Sequence, residues 1–220
     1  MEQRAHAITV QQILLSLYGI PAWHNPLPAL DELVSTILSQ NTNDTNRDRA
    51  FRSLQGRFHT WEQVRDANPQ DVIAAIRSAG LANQKGPRIQ NLLHEITAQR
   101  GSLDLEFLKE LPTEQARTWL MQFKGVGPKT AAIVLLFSLG KPAFPVDTHI
   151  FRVSGRLGLR PVSMTVEQAH PHLEALFPPE NYIDAHLNLI RLGREVCQSR
   201  RPNCAICPLQ EVCDYYQNQK

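Results

Sequence analysis

Apolar residues recur every three or four positions along almost the whole chain, a spacing that predicts helices and not strands. Val10, Ile13, Leu14, Leu17 and Tyr18 form one stripe, and Leu30, Leu33, Val34, Ile37 and Leu38 form another. Both should face a core. The same periodicity, with stop signals at Gly80, Gly101, Gly140 and Gly158, predicts further helices near 45–57, 70–79, 84–99, 113–122, 128–139, 148–157, 166–176 and 181–196. Asn68 before Pro69 is a cap followed by a proline at the first helical position, and Thr165 with Gln168 fits a capping box. Alternating strand patterns are nearly absent, as are low-complexity segments, long linkers and repeats of fixed period. The fold class is therefore all-α, and any division into lobes must be made by packing.

Size and composition narrow the picture. A chain of 220 residues can form one large domain or two compact lobes. Hydrophobic residues make up 42% and charged residues 20%, as in ordinary globular proteins, and no apolar run approaches the ~18 residues of a membrane span. Met1-Glu2-Gln3-Arg4 opens on an amphipathic pattern and not on a signal-peptide core, so a cytoplasmic location is expected. The formal charge of +2 matters less than where the charge sits. Lys85 and Arg88, Lys124 and Lys129, Arg191 and Arg194, and Arg200 and Arg201 pair up at turns or beside the cysteines. Each pair is either a solvated surface or a phosphate contact.

The densest chemistry lies in Lys124-Gly125-Val126-Gly127-Pro128-Lys129-Thr130. A helix ends near Phe123, the glycines permit unusual backbone angles, and Pro128 suits the first position of the next helix. A phosphate could approach the bare backbone at Gly125, Val126 and Gly127, helped by the positive end of the following helix. By itself such a turn can equally be a tight connection. Lys129 lies in the first turn of that helix, where the dipole disfavours a cation and favours the neutral, nucleophilic amine. The plainer reading is a solvated lysine. Asp147, in Val146-Asp147-Thr148-His149, should cap the helix that follows, and an ionised carboxylate held there can also stabilise a cation or move a proton. His149 is better read as a packing histidine.

Four cysteines crowd into the last two dozen residues as Cys197-x6-Cys204-x2-Cys207-x5-Cys213. They cannot staple distant parts of the chain, and their clustering points to metal ligation. The spacing fits neither paired zinc knuckles nor the bacterial ferredoxin run, so zinc, an iron–sulfur cluster and two disulfides all stay open on bare chemistry.

The Gly125 to Ala131 turn, the Val146 to Val153 segment and the cysteine spacing, in this order, resemble the endonuclease III family of helix-hairpin-helix DNA glycosylases. The resemblance runs from about Leu30 to Cys213. It implies a two-lobed fold, with a six-helix barrel over 24–132 and an iron–sulfur lobe from 1–23 and 133–220. It also implies that Lys129 is the nucleophile, Asp147 the catalytic carboxylate, and Cys197, Cys204, Cys207 and Cys213 the ligands of a [4Fe-4S] cluster. Arg200 and Arg201 would meet phosphates. Leu81 would insert into DNA from one side, and Gln40 and Asn41 from the other. The implied partner is double-stranded DNA with a damaged base or abasic site, met by a monomer near the nucleoid. The default reaction is removal of oxidised pyrimidines followed by strand cleavage, with a monofunctional glycosylase or a non-catalytic iron–sulfur DNA-binding protein as alternatives. The chain departs from the family pattern at Asn41, at Phe123-Lys124 and at Pro128, in the wedge and the phosphate turn, which bears on lesion choice.

Overall fold

The computed structural model describes residues 2–22 and 26–219. Among these the regular structure is helical, with no strand. The contacts divide the chain into two compact units, Pro26–Lys141 and the pair of segments Met1–Asn25 and Pro142–Lys220. The lobe boundary read near residue 24 lies outside the described residues, and 133–141 belongs with Pro26–Lys141.

In the Pro26–Lys141 unit, α2 (Ala29–Ser39) is the central helix and packs against α3 (Asp44–Arg57), α6 (Ala82–Arg100) and α8 (Pro128–Ile133). Its stripe is buried as expected: Leu33, Val34, Ile37 and Leu38 are fully covered. Each such side chain contributes about 1.5–3 kcal/mol by leaving water. The expected 70–79 helix is instead α5 (Pro69–Ala75), started by the Asn68 cap, followed by a tight 3₁₀ turn at Arg77–Ala79. The short α4 (Trp61–Asp66) has no counterpart in the sequence reading, although Thr60 caps it through the Gln63 N–H. It is too short for a full apolar stripe, and Val64 is its one fully covered side chain. After α7 (Thr113–Met121), α8 runs into a π-turn at Val134–Ser138, whose side chains Val134 to Phe137 are all buried.

The other unit is built from α1 (Glu2–Tyr18), α9 (Thr148–Arg156), α10 (Val166–Leu176), α11 (Tyr182–Glu195) and the short α12 (Asp214–Gln217). The α1 stripe is rotated from its expected position: Ala7, Val10, Gln11 and Leu14 are buried, whereas Leu17 is 47% exposed. Small Ala7 lets the helix approach α10 and α11 closely, and Leu17 lies in its last turn before Gly19. The capping box of α10 forms, with the Thr165 side chain on the Gln168 N–H and the Gln168 side chain on the Thr165 N–H. Phe144 stacks on Phe177 at 5.1 Å and meets Tyr182 edge-on, anchoring the segment that leads to Asp147.

Candidate active site

The Pro26–Lys141 unit brings together three loops and Lys129. The hairpin turn between α7 and α8 is held from behind by Phe123, buried edge-on against Trp119 at 4.9 Å, and by buried Val126. Its two glycines differ in kind. Gly125 has φ 88, a left-handed conformation that only glycine adopts without strain, and Arg88 fills the space a side chain would need. Gly127 has φ −96 and ψ −178, ordinary extended backbone, so conformation does not require glycine there. What distinguishes Gly127 is that, apart from its own chain neighbours, no heavy atom of the described residues lies within 4 Å of where its Cβ would be. The Val126 N–H is taken up inside the turn, donating to the Phe123 carbonyl at 3.0 Å. No side chain caps α8, which leaves the N–H groups of its first turn without helical partners. Lys129 sits in that turn, half-buried.

Glu32 is a neighbour that sequence reasoning missed. It lies on α2, accepts from the Thr36 hydroxyl at 3.2 Å, and is within electrostatic reach of Lys129 and Arg47. Burial pushes its carboxyl above the usual 4.5, while the Thr36 hydrogen bond and the two cations pull it back. An acid one turn ahead of buried Thr36 and beside buried Leu33 was the available signal.

The two expected wedge loops share one backbone feature. Asn41 (φ 54) and Leu81 (φ 51) are the non-glycine residues in the left-handed region among those described, and both are exposed. Gln40 points the other way: its amide nitrogen donates to the Gly125 carbonyl at 3.0 Å, and its oxygen accepts from Arg88 at 2.9 Å. Gln40 thus ties the loop to the hairpin, and Asn41 is the residue presented outward. Lys85 is not the surface cation its sequence position suggested. It is 1% exposed and donates to the carbonyls of Leu38 and Ala79, at 2.8 Å each.

The other unit carries Asp147 and the cysteines. Asp147 is the cap of α9: its Oδ1 accepts from the Ile150 N–H at 2.7 Å, and among the described residues no hydrogen bond engages Oδ2. His149 shares its ring nitrogen with Arg152 at 3.2 Å, a structural contact. The far end of α9 grips the cysteine segment. Arg152 donates to the Cys197 and Gly193 carbonyls, and Arg156 reaches Cys197 Sγ and the carbonyls of Gln198 and Ser199 while lying over the Tyr215 ring. Arg200 and Arg201 follow in that loop, both exposed. Arg191, paired with Arg194 by sequence, instead pairs with Glu195 and stacks on Tyr18.

All four cysteines are free, with no disulfide among the described residues. They line one cavity together with Arg156 and Tyr215. Burial first, and then the neighbouring cysteines, push the Cys207 and Cys213 thiols upward, so four thiolates there require a compensating positive centre. Yet among the described residues no three such side chains close on a single point as ligands of one ion do.

Comparison with known proteins accords with this arrangement. Residues 34–179 match the family model of the HhH-GPD superfamily base excision DNA repair proteins. A protein of Arabidopsis thaliana, provisionally named a DNA glycosylase, is 40% identical over 176 residues, covering 80% of this chain and 60% of the relative. The chain thus spans less than two thirds of that relative, and only 9% of the 32%-identical ROS1C protein of Oryza sativa subsp. japonica. Endonuclease III of Sulfolobus acidocaldarius is 35% identical over 186 residues, covering 84% of this chain and 81% of its own. Among solved structures, a trapped covalent intermediate of endonuclease III with DNA superposes with a TM-score of 0.83 at 25% identity over 98% of both chains. The chain belongs to the endonuclease III family of this superfamily.

Proposed function

We propose that the protein is a base-excision-repair DNA glycosylase with an associated abasic-site lyase activity, acting on duplex DNA that carries an oxidised pyrimidine. The observation that carries the proposal is Lys129 in the first turn of α8, directly behind an open, uncapped glycine turn. That turn suits a DNA phosphate, which fixes the backbone without selecting sequence. Exposed Asn41 and Leu81 are suited to fill the duplex where a damaged nucleotide has rotated out, at a cost of a few kcal/mol that falls where pairing is already weak.

In the reaction the Lys129 amine attacks C1′ of the extruded sugar, and the bond from C1′ to the base breaks with its electron pair leaving on the base. The Asp147 carboxylate stabilises positive charge on the sugar and accepts the proton shed by the amine. Sugar-ring opening yields a Schiff base at C1′. Loss of a proton from C2′ then expels the 3′ phosphate by β-elimination, and water releases Lys129. Cys197, Cys204, Cys207 and Cys213 would hold a [4Fe-4S] cluster that orders their segment, with Arg200 and Arg201 presented to phosphates.

Borohydride reduction during turnover tests the assignment. The parent is expected to form a covalent adduct on thymine-glycol duplex DNA, and Lys129→Ala none. Equal trapping of both proteins would remove Lys129 from the reaction. Free base without strand cleavage or adduct would select a monofunctional glycosylase.

A further inference from the structure

Lys85 is a buried cation that the proposed chemistry does not use. Its ammonium donates to the Leu38 carbonyl, next to the end of α2, and to the Ala79 carbonyl, at the end of the 3₁₀ turn after α5, both at 2.8 Å. Both acceptors belong to helix C-termini, where orphan carbonyls and the negative dipole end favour a cation. One side chain therefore caps two helices at once. The residues immediately after those carbonyls are the two candidate insertion loops: Ser39 to Thr42, with Asn41 at φ 54, and Gly80 to Asn83, with Leu81 at φ 51. Non-glycine residues in that region are strained and persist only where their surroundings hold them. Packing alone does not call for an ammonium, because burying a charge is costly and an apolar side chain of similar volume would fill the site. A second link starts one turn along α6, where Arg88 holds Gln40, and Gln40 holds Gly125 of the hairpin.

We propose that Lys85 is the positioning residue for nucleotide extrusion, a shared C-terminal cap that fixes the spacing and aim of the two insertion loops. The inference rests on the reading that those loops enter DNA. Lys85 touches neither DNA nor the reacting sugar, so its loss should impair opening of the duplex and spare the chemistry of Lys129.

The test compares the parent with Lys85→Met, which keeps the apolar volume and removes the donors, and with Lys85→Gln, which keeps an amide donor. Three probes are used: a duplex with one abasic site, the same abasic strand alone, and a duplex pairing a tetrahydrofuran abasic analogue with 2-aminopurine. Thermal melts identify the folded variants. A misplacement of about 1 Å costs on the order of 10²-fold, so duplex nicking is expected to fall roughly 10- to 100-fold in kcat for Lys85→Met, and less for Lys85→Gln. Nicking of the single strand should stay within about twofold, because no duplex has to be opened. The 2-aminopurine fluorescence rise expected on binding of the parent should be lost. Equal losses on duplex and single strand, or an unchanged fluorescence rise in a folded variant, would overturn the proposal. Should the parent nick neither strand, the lyase reading fails separately, and the fluorescence probe, which needs no cleavage, still decides the role of Lys85.

Discussion

Gly125 and Gly127 look equivalent in a G-x-G motif, but their side-chain spaces and torsions give them different tasks. A Cβ on Gly125 would come within 2.5 Å of the Arg88 side chain and would have to occupy φ 88. Gly125→Ala is therefore expected to lose about 1–2 kcal/mol from the left-handed conformation, a fall in Tm of roughly 2–8 °C for a chain this size. It should also loosen the link from Arg88 through Gln40 to the hairpin. Gly127→Ala meets nothing within 4 Å beyond its own chain neighbours and needs no special torsion, so it should melt with the parent yet bind duplex DNA more weakly, because the added methyl group stands where a phosphate would approach. Thermal melts combined with binding isotherms check both halves. Equal stability for the two variants would show that the Gly125 torsion carries no constraint. The motif was legible in the sequence, but the division of labour within it was not, because it depends on Arg88, thirty-seven positions away.

At the level of elements, α9 links the Asp147 cap to the cysteine segment. Its first turn is capped by Asp147 through Oδ1, and it holds the cysteine segment through Arg152 in its middle and Arg156 at its end. The cap and the proposed catalytic role of Asp147 can be separated, because asparagine caps a helix about as well as aspartate while carrying no charge. Asp147→Asn should keep the parent's melting temperature within about 0.5 kcal/mol of equivalent stability, and should release base on the order of 10²- to 10⁴-fold more slowly. Asp147→Ala should lose about 1 kcal/mol of stability as well. A normal rate for folded Asp147→Asn would reduce the residue to a cap. The start of α9 was readable from the sequence because capping is local, as was α10 with its box at Thr165 and Gln168. The short α4 and the break of the 70–79 segment into α5 and a 3₁₀ turn escaped the periodicity, since fewer than two full turns cannot display a stripe.

For the whole molecule, the nature of the terminal centre separates the alternatives left by the cysteine spacing. Four cysteines line one cavity, and the proposed occupant is a [4Fe-4S] cluster. The purified protein is expected to be coloured, with a broad visible absorption and iron and labile sulfide in equal amounts. Cys204→Ser should bleach it and destabilise the Cys197 to Cys213 segment first. One zinc per chain in a colourless protein would reject the cluster.

Helical periodicity, caps and the order of three motifs depend on neighbours a few residues apart, and the sequence alone was sufficient to determine the all-helical class, the family and the candidate nucleophile and carboxylate. Tertiary packing decided the rest. It rotated the α1 stripe onto Ala7 and Gln11, turned Gln40 inward, and buried Lys85 against carbonyls 6 and 47 positions away in the chain. The partners of a long polar side chain are chosen by whatever backbone groups the fold leaves unpaired around it. Those groups become identifiable only when separate helices end side by side.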